Sequence, residues 1–394
     1  MAVVVAVLLV LVASVLGLPS SHSNWQSLVN KTDLFVNNQP YGITYPCYRQ
    51  PALILMGEGL LAFAEGRNIS SCAPPLQAAA PSPVEEVGGL VLRRSTDLGR
   101  TWSAPITLYS GNIDFYVTVY DAEKDVGWLF LQEESAVRVF NTTDQGYTWA
   151  GPFAFTAPVP PGLRPTVQPA VGHGLQLQRH LCAAPGGCAE AGTLVVPFVC
   201  MSDTATPVER VHSDTACASC QSCLLLSSDH GASWRFAALG QLGSREAQAV
   251  QIASNTSSAW LYVTERNLGP MPGHRMYAIS HDAGHSYTET GINKGLVTPI
   301  TADWTGTVAS VESSFNQQPS SPLFMALPFN ATVRCNLTLM TSLDAGATWA
   351  AQTVFWPGLG AYTDLSALPT GLGVIFENGE ATFADRISFA NLLQ

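Results

Sequence analysis

Three evenly spaced cysteines, Cys217-x-x-Cys220-x-x-Cys223, are the first residues whose type and spacing could do chemistry. Three thiolates so placed could hold a metal, but a closed zinc site needs four ligands and the sequence specifies no fourth. Disulfide formation is the competing chemistry, and Cys47, Cys72, Cys182, Cys188, Cys200 and Cys335 supply further thiols for it. The compartment decides between the two. Ala2 to Leu18 is an unbroken apolar run followed by Pro19-Ser20-Ser21, which reads as a signal peptide over residues 1–18 although no Lys or Arg precedes it. An uncleaved anchor is the alternative, and only then would the chain have a membrane as partner. Asn-x-Ser/Thr sequons at Asn30, Asn68, Asn141, Asn255, Asn330 and Asn336 fit the secretory pathway, with an extracellular, lysosomal or vacuolar destination. In that oxidising setting disulfides are expected in the long stretch that holds Cys182 to Cys223, with one thiol of the nine left over.

The second chemistry is ionic. The chain has 18 Lys and Arg against 29 Asp and Glu, a formal net charge of −11. That balance argues against a nucleic-acid partner. An anionic ligand could be held only by a local cluster of arginines, whose planar guanidinium groups bind carboxylates through charge-assisted, often paired hydrogen bonds.

Such a cluster needs a scaffold, and one turn repeated five times describes it. Ser95 to Trp102 reads Ser-Thr-Asp-Leu-Gly-Arg-Thr-Trp, and the pattern Ser/Thr-x-Asp-x-Gly-x-Ser/Thr-aromatic returns at Thr142 to Trp149, Ser227 to Trp234, Ser280 to Tyr287 and Ser342 to Trp349. Each part suits a tight hairpin: Asp and Ser/Thr side chains cap backbone N–H groups, Gly takes a positive φ, and the aromatic fills the apolar wedge beside the turn. This is the Asp box, and its recurrence resembles the β-propeller of the sialidases. The boxes stand roughly 50 to 85 residues apart, which suits four-stranded blades joined by unequal loops. At about 60 residues per blade, residues 19–394 are expected to form one all-β domain, a six-bladed propeller of four-stranded antiparallel blades. The sixth blade lacks a box and should be completed by the two ends of the chain, which removes free sheet edges. With 47% hydrophobic residues, 12% charged, 33 Gly and 26 Pro, the composition agrees with a large β core punctuated by turns.

Further motifs are similar to those of the animal lysosomal and cytosolic exo-sialidases. Tyr48-Arg49-Gln50-Pro51 resembles the family's Phe/Tyr-Arg-Ile-Pro, with Gln50 in place of Ile, and Phe63-Ala64-Glu65-Gly66-Arg67 resembles its Phe-Ala-Glu-x-Arg strand. The resemblance makes Arg49 the first of three arginines that hold the substrate carboxylate, and Arg67 a further substrate-side arginine. By their contexts Arg266, in Thr264-Glu265-Arg266-Asn267, takes the second position and Arg334, in Val333-Arg334-Cys335-Asn336, the third. Tyr362, in the segment Trp356-Pro357-Gly358 to Leu365, matches the family's nucleophile, and Glu246, twenty residues before Arg266, matches the base that activates it.

The general acid departs from the pattern. Counting back from Leu92-Arg93-Arg94-Ser95 puts Val84 where the family carries Asp, and residues 68–84 contain no Asp. Glu85 is the first substitute and Glu86 the second. The resemblance therefore implies an exo-α-sialidase that releases terminal N-acetylneuraminic acid or its deaminated relative Kdn from sialylated glycans with retention, and needs no metal or organic cofactor. The alternative from another class is a catalytically silent, lectin-like propeller that binds sialic acid and has lost the acid.

Overall fold

The computed structural model describes residues 30–38, 45–69, 72, 86–134, 136–202, 219–269, 271–301, 304–305, 310–313 and 321–393. The expected signal segment, Glu85 and Cys217 lie outside them, and of Glu86 only the backbone is described. Apart from one turn of 3-10 helix at Arg179–Leu181, the regular structure is all strand. Among the described residues no helix is long and apolar enough to cross a membrane.

The strands build a propeller of five blades, which corrects the expectation of six. Cys47–Met56, Gly59–Asn68, Glu86–Ser95 and Ile106–Ser110 form a four-stranded sheet, and a second four-stranded sheet runs from Ser244–Ile252 to Glu289–Val297. Two sheets have five strands, one built on Ile113–Asp121 and the other on Leu194–Ser202. Besides a two-stranded ribbon of Ile300–Thr301 and Trp304–Thr305, the last sheet has seven strands, and its size explains the miscount. Its strand Ala350–Leu368 is 19 residues long. The first half pairs with Cys335–Ser342 and the second with Gly371–Gly379, so that Leu359 faces both Cys335 and Gly379. No gap opens where two blades were expected to part. The blades are not purely antiparallel either, because the two-residue strand Gly172–His173 adds in parallel to Ile113–Asp121.

The two ends of the described chain meet as expected: Lys31–Val36 pairs antiparallel with Arg386–Leu393, Lys31 opposite Ala390. Inner strands then pack in a closed circuit. Cys47–Met56 touches Ile113–Asp121, followed by Leu194–Ser202, Ser244–Ile252 and then Ser310–Ser313 and Ala350–Leu368, both of the seven-stranded sheet, which returns to Cys47–Met56. Two of these strands carry unbroken apolar stretches, residues 52–56 and 194–199, as strands buried on both faces do. Ser244–Ile252 is buried at every position, whereas the outer Ala150–Ala154 is exposed throughout. A charged residue on an inner strand therefore needs a partner or a function.

All five repeated turns share one hydrogen-bond pattern. In the first, the Gly99 N–H donates to Ser95 Oγ at 2.8 Å, and the Thr101 N–H and hydroxyl donate to the two Asp97 oxygens at 2.8 and 2.6 Å. The last repeats it with Gly346, Ser342, Thr348 and Asp344. Gly346 has φ 93°, and a Cβ there would stand 2.3 Å from the Tyr262 ring. Gly346→Ala is accordingly expected to cost about 1 to 3 kcal/mol of stability, read as a lower urea midpoint; an unchanged midpoint would refute the tight fit.

Disulfides join Cys47 to Cys72, Cys182 to Cys188 and Cys200 to Cys223. Cys220 is also disulfide-bonded, and Cys335 is the free thiol among the described residues. With Cys223 in a disulfide, the three-cysteine metal reading falls away.

Candidate active site

Three β-bulges turn polar side chains into the ring. Pairing slips between Arg49 and Ala52, where Gln50 has φ 55°. It slips again between Arg245 and Gln248, where Glu246 has φ 41°, and between Gly360 and Thr363, on either side of Tyr362. An extra residue in one strand re-aims its side chains, and positive φ outside glycine is costly enough to persist only where the surroundings enforce it. Such a φ is hardest for a β-branched residue, which gives Gln50 a local reason to replace Ile.

At the centre stands Tyr362, 4% exposed. Its phenol donates to Glu246 Oε1 at 2.9 Å. Arg266 Nη1 donates to Glu246 Oε2 at 2.7 Å and to the phenol oxygen at 3.3 Å. The guanidinium groups of Arg49 and Arg334 lie 5.5 and 5.7 Å from the Tyr362 ring centre, and both also lie over Phe383. Five of the expected residues are thus gathered from distant segments: Arg49, Arg266, Tyr362 and Glu246 from strands and Arg334 from the turn before Cys335–Ser342. Arg67 pairs with a carboxylate of its own strand. It forms a two-pronged pair with Glu65, both bonds 2.7 Å, beside a cleft lined also by Asn68, Gly88 and Asn112. Glu85 lies outside the described residues, and Glu86 opens the strand Glu86–Ser95 with Asn68 as its backbone partner.

Charge sets the protonation states. Burial pushes the Glu246 carboxyl up, but the nearby Arg266 and Arg245 charges and the bonds from Arg266 and Tyr362 outweigh it and leave the group below its ordinary value. It is held as a carboxylate, ready to accept a proton. Burial pulls Arg334 down to about 10, with Tyr362 acting to raise it and the Arg266 and Arg49 charges to lower it further. Glu65 is pushed up to about 7 by burial, against the pull of Arg67.

Sequence reasoning missed the group that holds Arg49. Glu377, fully buried, accepts from Arg49 Nε at 2.7 Å and Nη2 at 3.3 Å, from the Gln50 N–H at 2.9 Å and from the Tyr362 N–H at 3.2 Å. A lone charge after the apolar run Gly373-Val374-Ile375-Phe376 was the available signal. Arg245 was also missed: it lies 5.4 Å from the Phe115 ring centre and donates to Gln168 Oε1 at 3.1 Å. Among the described residues no cluster of three His, Cys, Asp or Glu is placed to hold a metal.

The propeller thus brings together a phenol and a carboxylate, hydrogen-bonded to each other, and three arginines. No protein-family model matches the chain. The chain is similar to a sialidase of Micromonospora viridifaciens, 27% identical over 389 residues, across 90% of this chain and 53% of that one. It thus spans about half the length of this relative. Solved structures of similar fold include the Hadza microbial sialidase Hz136, with a TM-score of 0.66, 17% identity, and coverage of 89% of this chain and 66% of that one. The intramolecular trans-sialidase of Ruminococcus gnavus, in complex with oseltamivir carboxylate, gives 0.65 at 14% identity over 92% and 97% of the two chains. The sialidase of Trypanosoma rangeli, in complex with a 2,3-difluoro derivative of Kdn, gives 0.66 at 13% identity over 93% and 58%.

Proposed function

We propose that the protein is a retaining exo-α-sialidase with Tyr362 as nucleophile. The observation that carries this is the buried hydrogen-bonded set Tyr362, Glu246 and Arg266, with Arg49 and Arg334 beside the ring. In this reading the three arginines hold the substrate carboxylate, which sits on the anomeric carbon. A carboxylate nucleophile would be repelled by that group, whereas a neutral phenol would not, and sialidases are the glycosidase class known to use tyrosine. As the phenol oxygen bonds to the anomeric carbon, its proton passes to Glu246 and the glycosidic C–O bond breaks. The leaving oxygen takes a proton from Glu85 or Glu86. Water then attacks the anomeric carbon and gives a proton to the carboxylate left by the acid, while Tyr362 departs and takes its proton back from Glu246, so two displacements preserve configuration. Nearby guanidinium groups favour the charged form of the attacking oxygen.

The substrate is a terminal N-acetylneuraminic acid or Kdn, and the setting is the secretory pathway, with a lumenal or extracellular site of action. The test is release of 4-methylumbelliferone from the paired glycosides of the two sugars between pH 4 and 7. No release of either from folded protein would favour the binding propeller instead. Replacing Glu85 or Glu86 with Gln should slow natural glycosides more than aryl ones, whose leaving groups need less protonation. Equal losses on both would count against either residue as the acid.

A further inference from the structure

Tyr362 sits in a bulge where the strand ladder lapses between Gly360 and Thr363, so something other than pairing must fix its position. Two buried carboxylates flank it. Glu377 takes its backbone N–H. Asp364, two residues on and fully buried, takes the Leu53 N–H of the first sheet at 2.8 Å and thereby ties the long strand across the closure of the ring.

A buried carboxylate needs a counter-charge. His173 supplies one, its Nδ1 standing 3.1 Å from both Asp364 oxygens while its Nε2 faces Glu312 at 3.5 Å. The approach is close: a Cβ at the preceding Gly172, which has φ 96°, would stand 1.9 Å from the Gln248 amide nitrogen and 3.1 Å from Asp364 Oδ1. Gln248 in turn donates to the Val171 carbonyl, and Val171 packs in one cluster with Tyr362, Ala361 and Phe115. The segment 171–173 thus touches the nucleophile's neighbours on one side and the anchor of its strand on the other.

We propose that His173 is a positioning residue for Tyr362: clamped between Asp364 and Glu312, it fixes the bulge that aims the phenol. Burial opposes charge on the ring, but Asp364 and Glu312 raise it to about 10, so the ring is an imidazolium at neutral and acidic pH. The role rests on the reading of Tyr362 as nucleophile, yet its geometric content can be measured without turnover.

His173→Gln keeps a hydrogen-bond donor and removes the charge. On an aryl sialoside that the wild type cleaves, kcat is expected to fall by about tenfold to a hundredfold, the penalty for small misplacements of reacting groups. KM should stay within about twofold, because the arginines are untouched. The Tyr362 signal in spectra of tyrosine labelled with 13C at Cζ, assigned by its absence from Tyr362→Phe, should shift or split. If His173→Gln does not fold, the double variant with Asp364→Asn, which removes both charges at once, is read in its place. A folded variant with kcat within about twofold of wild type, a rise in KM matching the fall in kcat, or an unmoved Tyr362 signal would each overturn the proposal. Wild-type protein that cleaves no sialoside would sink the sialidase reading alone and leave the Tyr362 signal to decide this one.

Discussion

Tyr362→Phe is expected to lower kcat by at least about 10³-fold, the scale on which loss of a nucleophile acts, while the protein stays folded and still binds sialic acid. The change removes one oxygen. That oxygen holds the 2.9 Å bond to Glu246 and the 3.3 Å contact with Arg266, but the 2.7 Å bond between Arg266 and Glu246 survives it. Neither charge is left unpartnered, so the stability loss should stay near the ordinary worth of a hydrogen bond, about 1 kcal/mol. Arg49, Arg266 and Arg334, proposed to hold the carboxylate, remain, which predicts sialic acid binding, read by calorimetry, close to wild type. A variant that keeps a tenth or more of wild-type turnover would remove Tyr362 from the chemistry altogether.

Glu377→Gln is expected to have the largest effect on the fold. The carboxylate meets two Arg49 donors and two backbone N–H groups, on Gln50 and Tyr362. An amide keeps one oxygen for those four donors, loses the charge, and turns two N–H groups of its own toward them. Breaking a buried ion pair by removing one partner costs about 3 to 5 kcal/mol, and a loss of that size is expected in equilibrium unfolding by urea. Arg49 would also lose the group that aims it, so KM should rise in whatever protein folds. A stability change within about 0.5 kcal/mol, as for a surface substitution, would show that Glu377 does not hold the site.

What could be read beforehand was local in sequence. The turn motif encodes its own hydrogen bonds within eight residues, and Arg49, Arg266, Arg334, Glu246 and Tyr362 each sit in a recognisable short context. What could not be read was the pairing between distant segments. Arg49 and Glu377 are 328 residues apart, and His173 and Asp364 are 191 apart. Nothing near Glu377 or His173 names its partner. The blade count failed for the same reason: turn spacing records where hairpins bend, but whether a strand stops at Leu359 or continues through it depends on hydrogen bonds to both Cys335 and Gly379.

Closure of the ring by Lys31–Val36 against Arg386–Leu393 also sets a clock on synthesis. The first of these strands leaves the ribosome about 360 residues before its partner, a delay of roughly 20 to 70 s at the usual elongation rate. For that interval its hydrogen-bonding edge is open, and the nascent chain depends on whatever shields such edges in the cell. Arg49 and Gln50 wait as long for Glu377. A chain released before residue 377 would lack the group that aims Arg49, and one released before residue 362 the proposed nucleophile as well.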